Sequence, residues 1–151
     1  MKKIILILIF SFVYGCGYTS LLKNQNQQNI KISINSTEGD FQTNNFIKNQ
    51  IKLSSNPLST KNFDINILSS YEKIIIAKDS AGVATDYKIN ISLDFIILSK
   101  NNLKVSYSDS INIKNNSENF EQIEYEREIK KNFASDIKDK LILYLLSLDD
   151  S

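Results

Sequence analysis

Residues 87–97 read Tyr-Lys-Ile-Asn-Ile-Ser-Leu-Asp-Phe-Ile-Ile, the clearest alternation of apolar and polar side chains in the chain. A repeat of two places alternate side chains on opposite faces of a β-strand. The apolar positions are Tyr87, Ile89, Ile91, Leu93, Phe95 and Ile97. The pattern therefore predicts a strand with one face in a core and the other wet or covered by a partner.

Two neighbouring segments extend this strand into a sheet. Alternating residues run from Phe63 through Tyr71 to Ile76 on one side, and from Leu103 to Ile113 on the other. Ser-Ala-Gly at 80–82 and Lys-Asn-Asn at 100–102 separate the three segments, and both are turn sequences, since Gly and Asn tolerate positive φ. Three strands joined by short turns predict an antiparallel meander.

A strand and a helix precede the meander. Ile30, Ile32 and Ile34 alternate with polar residues, and Gly39-Asp40 ends that strand, with Asp40 placed to cap a helix. The predicted helix stops before Pro57. Its apolar side is formed by Phe46, Ile47, Ile51 and Leu53.

A longer helix closes the chain, from about Glu118 to Leu148. Ile129, Phe133, Ile137 and Leu141 recur every four residues and form its apolar stripe. The lysines of this segment are predicted to form its charged back face. They are Lys130, Lys131, Lys138 and Lys140.

The predicted fold class is α+β, with the element order β-α-β-β-β-α. A strand-helix-strand opening implies a parallel crossover, so the four-stranded sheet is mixed but mostly antiparallel. Two helices packed on one face satisfy the burial needs of both element types. We predict a single α/β sandwich domain over residues 29–148, followed by a short tail at 149–151.

The amino terminus has the three parts of a secretory signal peptide in residues 1–15. Lys2 and Lys3 provide the positive start, and a run from Ile4 to Val13 is apolar except for Ser11. As a helix this run would be about 15 Å long, roughly half a hydrocarbon core. It suits the export machinery better than a membrane span. The alternative is a buried helix or strand of the domain.

The end of this run resembles the lipobox of bacterial lipoproteins. It reads Val13-Tyr14-Gly15-Cys16, and Cys16 is the chain's sole cysteine. We expect Cys16 to be the lipid-attachment residue, where two or three acyl chains such as palmitate give effectively permanent anchoring. Residues 16–28 then form a lipidated N-terminus and a flexible polar tether. Gly17, in place of the aspartate that retains lipoproteins in the inner membrane, favours the outer membrane.

Composition excludes several classes of function. The chain has no histidine and one cysteine, which rules out histidine-based triads, histidine-ligated metals and internal disulfides. Its net charge of +1 gives no field that favours nucleic acid. Glu124, Glu126 and Glu128 are spaced by two, which suits a hydrated helix surface better than an acid–base pair. We expect no catalytic residue, no metal site and no cofactor, and therefore no enzyme.

Several short motifs together resemble one known family. They are Gly-Cys-Gly-Tyr at 15–18, the first strand–helix pair, Ala-Lys-Asp at 77–79 leading to Ala-Thr-Asp-Tyr at 84–87, and the closing amphipathic helix. In this order and spacing they resemble the lipopolysaccharide-assembly lipoprotein of the outer-membrane translocon, the LptE family. The resemblance spans nearly the whole chain.

The resemblance implies a function and a partner. It implies a plug and assembly factor for a large, LptD-like outer-membrane β-barrel that inserts lipopolysaccharide into the outer leaflet. It also implies anchoring on the periplasmic side of the outer membrane, lipopolysaccharide binding and no covalent chemistry. The family's basic positions are absent from the turn at 80–82 and from the loop at 115–118. Lys78 and Lys114 are the nearest substitutes for lipopolysaccharide contacts.

A second hypothesis stays open from the residues alone. A periplasm-facing lipoprotein that binds a small ligand, or that serves as an auxiliary subunit of an export pump, would share the signal peptide, the anchor and the sandwich fold. The presence or absence of a barrel partner separates the two.

Overall fold

The computed structural model describes residues 30–99, 101–116 and 118–148. It contains four strands and two helices in the predicted order. In chain order these are β1 (Ile30–Gly39), α1 (Phe41–Ser54), β2 (Lys61–Lys78), β3 (Ala84–Ile97), β4 (Leu103–Lys114) and α2 (Asn119–Ser147). The predicted α+β class and element order are confirmed.

The four strands form one mixed sheet in the order β1-β2-β3-β4. β1 and β2 are parallel, as expected for strands joined through a helix, while β2–β3 and β3–β4 are antiparallel. The turns between antiparallel strands use the predicted residues, since Gly82 has φ +83° and Asn102 has φ +45°. β3 is therefore an inner strand, hydrogen-bonded along both edges.

One face of the sheet forms the core with both helices. On β3, Ile89, Leu93 and Phe95 have no exposed surface, as the alternation predicted. The helices contribute the opposing layer, and α1 and α2 also contact each other. The buried helical apolar side chains are Ile47 and Ile51 of α1 and Ile129, Phe133, Ala134, Ile137, Leu141, Ile142 and Leu145 of α2.

Helix α1 starts where the sequence predicted, but one of its apolar residues faces the solvent. The Asp40 carboxylate accepts a hydrogen bond from the Thr43 backbone N–H at 2.8 Å, which caps the helix. Leu53, predicted to lie on the apolar side, is 81% exposed. At 100° per residue Leu53 lies about 200° round the helix from buried Ile51, which explains the error.

Gly39 determines where β1 leaves the sheet. Its φ is +95°, and a Cβ at this position would lie 1.8 Å from the Ser69 carbonyl oxygen. Only glycine combines that backbone conformation with so close an approach. The β1–β2 pairing ends at Gly39 and Ser69, and β2 continues to Lys78. Residues 70–78 of β2 consequently have no strand neighbour on the β1 side among the described residues.

Candidate interaction surfaces

The two lysines proposed from the sequence lie at the same end of the sheet. Lys78 pairs with Ala84, and Lys114 pairs with Asp86 on the other edge of β3. Standard strand spacings place their Cα atoms about 12 Å apart. Both side chains are exposed, and neither forms an ion pair within the part of the chain that the structure describes.

The turn between β2 and β3 is organised by Asp79. Its carboxylate accepts hydrogen bonds from the backbone N–H groups of Ala81 and Val83, both at 2.9 Å. The Asp79 backbone N–H donates to the Val83 carbonyl at 2.9 Å. Asp79 is thus satisfied within the turn, and its charge compensates part of the positive charge of nearby Lys78.

The loop that enters α2 is attached to this turn. Asn115 donates from its backbone to Thr85 at 2.7 Å and from its side chain to Ala84 at 2.8 Å. The Asn116 backbone N–H donates to the Gln122 side chain at 2.9 Å. These bonds bring together the two segments in which the LptE family, by the resemblance described above, has its basic positions. A cleft of about 640 Å³ opens beside Lys114, between the end of β4 and the first turns of α2.

Apolar side chains are exposed around these lysines. Ile74, Ile75 and Ile76 near the end of β2 are 38–48% exposed, and Val83 in the turn is 57% exposed. Phe120, in the first turn of α2, is 75% exposed. We call residues 74–86, residues 114–116, residue 118 and the first turn of α2 the hairpin end. Its surface combines exposed apolar side chains with two lysines, Lys78 and Lys114, and it also carries the carboxylates of Asp79, Asp86, Glu118 and Glu121.

The face of the sheet opposite the helices is polar and shallowly grooved. In the described residues both helices pack on the other face, so this open sheet face has no covering element. Its central rows are Ser70–Ser92–Ser108 and Glu72–Asn90–Ser110, which line a groove of about 470 Å³. Ser110 donates a hydrogen bond to the Asn90 side chain at 3.0 Å. Small hydroxyl and amide groups dominate these central rows, and an ion pair between Asp94 and Lys104 lies further along the same face.

Lys130 does not lie on the solvent-facing side of α2, where the sequence placed it. Its residue is 6% exposed, and its ammonium donates to Asp40 at 3.1 Å and to Gln42 at 3.2 Å. The same ammonium sits 3.8 Å from the centre of the Tyr71 ring, a cation–π contact. The prediction was wrong because the buried stripe of α2 is wide enough to include position 130 beside Ile129.

Glu126 is also packed rather than hydrated, contrary to the sequence interpretation. Its carboxylate accepts hydrogen bonds from Tyr71 at 2.7 Å and Gln122 at 2.8 Å, and forms an ion pair with Lys73. Lys73 lies 4.0 Å from the centre of the Tyr87 ring. The sequence does contain a signal for this packing. Gln122, Glu126 and Lys130 are spaced by four, which places three polar residues along one row beside the apolar stripe.

The pKa values of the two carboxyl groups in this network, Asp40 and Glu126, are lowered, which favours their ionised forms. Burial tends to raise the pKa of Asp40, but hydrogen bonds from Thr43 and Lys130 outweigh it and lower that pKa. Burial likewise opposes the lowering of the Glu126 pKa, which Lys73 and Gln122 bring about.

The third titratable group of the network is the phenol of Tyr71. Burial raises the pKa of Tyr71, and the Glu126 carboxylate raises it further. The phenol therefore stays protonated and donates. The network joins the start of α1, the long strand β2 and the start of α2, and so fixes the helix beneath the hairpin end.

The described residues contain neither a metal-binding cluster nor a helix suited to crossing a membrane. No group of three or more histidine, cysteine, aspartate or glutamate side chains is arranged to hold a metal ion there. Neither described helix combines the length and the apolar character that a bilayer-crossing helix needs. The predicted signal peptide, the lipid-attachment residue Cys16 and the tether lie outside the described residues.

Similarity to known proteins is confined to the fold. No protein-family model and no curated protein matches this sequence. Rare lipoprotein B from Shewanella oneidensis has a similar structure, with a TM-score of 0.55 and 10% identity over 79% of this chain and 98% of that one.

Two other solved structures are similar. A candidate lipoprotein from Caulobacter crescentus CB15 has a TM-score of 0.52 and 14% identity over 82% of this chain and 92% of its own. A minor lipoprotein from Acinetobacter baumannii has a TM-score of 0.50 and 12% identity over 73% and 88%. The structural neighbours are thus bacterial lipoproteins, and at these identities the likeness establishes the fold alone.

The position of Lys130 gives a prediction about stability. Lys130→Ala should lower the free energy of unfolding by about 2 kcal/mol or more, because it leaves the partly buried Asp40 carboxylate without its cation. The adjacent Lys131 is the matched control, since its ion pair with Glu128 is about half exposed on both sides. Lys131→Ala should change stability by less than about 0.5 kcal/mol. Denaturant unfolding of both variants measures the difference, and equal effects would contradict the structural role of Lys130.

Proposed function

We propose that this chain is an outer-membrane lipoprotein that plugs an LptD-like β-barrel translocon for lipopolysaccharide and assists the assembly of that barrel. Cys16 would carry the lipid anchor and hold the domain on the periplasmic side. The proposal draws on the lipobox-like sequence, on the resemblance to the LptE family, and on a fold shared with bacterial lipoproteins. It assigns no covalent chemistry, catalytic residue, metal or cofactor to the chain.

The observation that carries the plug proposal is the open sheet face. Four strands of up to 18 residues present a broad polar surface, in which hydroxyl and amide groups form the central rows beside Glu72 and an Asp94–Lys104 ion pair lies further along the face. The lumen of an outer-membrane barrel is polar, in contrast to its lipid-facing wall. Ser92, Ser108 and Asn90 can exchange hydrogen bonds with such a wall without the desolvation cost that a dense charge pattern would add.

The hairpin end is the part of this chain that suits contact with lipopolysaccharide. Lipopolysaccharide combines phosphate groups with acyl chains, and the hairpin end combines Lys78 and Lys114 with exposed isoleucines at 74–76. Lysine binds phosphate as a point charge. We therefore keep these two lysines as the proposed contacts, in a plug that would direct this end toward the substrate.

The barrel partnership can be tested by affinity purification from outer membranes. The tagged full-length chain should recover one large β-barrel protein in near-equal amount, because a plug remains with its barrel. Recovery of no barrel protein would contradict the translocon proposal. That result would leave the open alternative of a lipoprotein that binds a small ligand or serves an export pump.

A separate variant tests the predicted lipid anchor. Cys16→Ala should abolish metabolic labelling with palmitate and should accumulate an uncut precursor. Unchanged labelling would show that Cys16 is not the lipid-attachment residue.

The proposed lipopolysaccharide contacts can be tested by titration of the purified full-length chain. Lys78→Gln/Lys114→Gln should weaken lipopolysaccharide binding by about fivefold or more, since each lysine near an anionic surface contributes on the order of 1 kcal/mol. The control is Lys131→Gln/Lys140→Gln, which removes the same charge from exposed positions on α2. An equal loss of affinity in both variants would show that binding depends only on net charge, and it would contradict a site at the hairpin end.

A further inference from the structure

An apolar groove lies between the outer edge of β1 and the C-terminal half of α1, far from the hairpin end. Its volume is about 590 Å³, within the range of roughly 300–1,000 Å³ typical of small-ligand sites. Ile32 and Ile34 of β1 and Ile51 of α1 form its floor. The groove and Lys78 are separated by more than about 40 Å along the strand direction. It is therefore distinct from the proposed lipopolysaccharide contacts.

The rim of the groove carries concentrated positive charge. Lys31, Lys48 and Lys52 line it, and no aspartate or glutamate is among the lining residues. All three lysines are exposed, and none forms an ion pair within residues 30–99, 101–116 and 118–148. Three unpaired cations around an apolar floor are complementary to a ligand that joins an anionic group to a hydrocarbon chain.

The backbone at the groove argues against a peptide strand as the ligand. The outward-facing carbonyl of Ile30 accepts a hydrogen bond from the Asn56 N–H at 2.9 Å. The outward-facing N–H of Ile32 donates to the Ser55 hydroxyl, also at 2.9 Å. A strand added to a sheet edge needs such groups free. Because this part of the edge is already paired, the groove offers side-chain carbons and ammonium groups rather than a β-pairing template.

We propose that this groove binds one acyl chain of an anionic phospholipid, with the phosphate held among Lys31, Lys48 and Lys52. The hydrocarbon would cover half-buried Ile34, exposed Pro57 and the carbon stems of the lysines, whose removal from water favours binding. Ile32 and Ile51 are already buried and only close the floor beneath it. The protein's own anchor fits less well, because acyl chains on Cys16 bring no anion to the three lysines. The predicted tether joins the domain at Ile30, beside the groove, so membrane phospholipid is within reach. The inference uses the predicted anchor but does not depend on the barrel.

Native mass spectrometry of the full-length chain purified from membranes tests the proposal. The probes are 1-palmitoyl lysophosphatidylglycerol, which is anionic, and 1-palmitoyl lysophosphatidylcholine, which has the same chain and a zwitterionic headgroup. One anionic lipid should bind per chain, at least about tenfold more tightly than the zwitterionic one, since three lysines contribute.

Two kinds of variant separate the headgroup from the chain. Lys31→Gln/Lys48→Gln/Lys52→Gln should remove the preference for the anionic lipid. Lys104→Gln/Lys131→Gln/Lys140→Gln removes the same charge elsewhere and should leave the preference intact. Asn49→Trp places a bulky ring on the exposed rim and should weaken both lipids without removing a charge or a core side chain.

Four results would overturn the proposal. Equal affinity for the two lipids would show that the groove does not recognise an anionic headgroup. A preference that survives the triple substitution at the rim, or binding unaffected by Asn49→Trp, would place the lipid elsewhere. Binding to the Cys16→Ala chain but not to the acylated chain would assign the groove to the protein's own anchor. None of these results bears on recovery of a barrel protein, so the two proposals fail separately.

Discussion

The structure depends on the difference between the two faces of β3. One face, from Ile89 to Phe95, is closed off from water by α1 and α2, whereas the other keeps Asn90, Ser92 and Asp94 at a polar surface. A shift of one residue in the β3 register would exchange these two sets of side chains, so the alternation also fixes the pairing of β2 and β4. The same alternation that builds the core therefore produces the open sheet face on which the plug proposal rests.

The long helix is held over this core by a polar cluster as well as by apolar packing. Lys130 joins α2 to the N-cap of α1, and Glu126 joins it to Tyr71 and Lys73 of β2. These contacts extend beyond the point where Gly39 ends the β1–β2 pairing. They support the part of β2 that leads into the hairpin end. There β2 is paired with β3 but no longer with β1. The position of the proposed lipopolysaccharide contacts thus depends on residues that do not touch the ligand.

The sequence predicted the elements well and the polar cluster poorly, for a physical reason. Strand alternation and the four-residue repeat report on apolar side chains, so β3 and the stripe of α2 were predictable. Lys130 and Glu126 are charged, and a pattern analysis assigns charged residues to the surface unless their partners are known. Those partners, Asp40 and Tyr71, come from elements 90 and 55 residues away in sequence. The meander topology places Lys78 and Lys114 at the same end of the sheet, because β2 and β4 both end beside the start of β3.

The most direct test of the account is site-specific photocrosslinking in intact outer membranes. A photoreactive residue at Ser108, exposed on the open sheet face, should give one dominant adduct with a large β-barrel protein, because that face would lie against the lumen wall. An abundant, correctly anchored Ser108 variant that crosslinks to no barrel protein would contradict the central claim that the open sheet face is a docking surface.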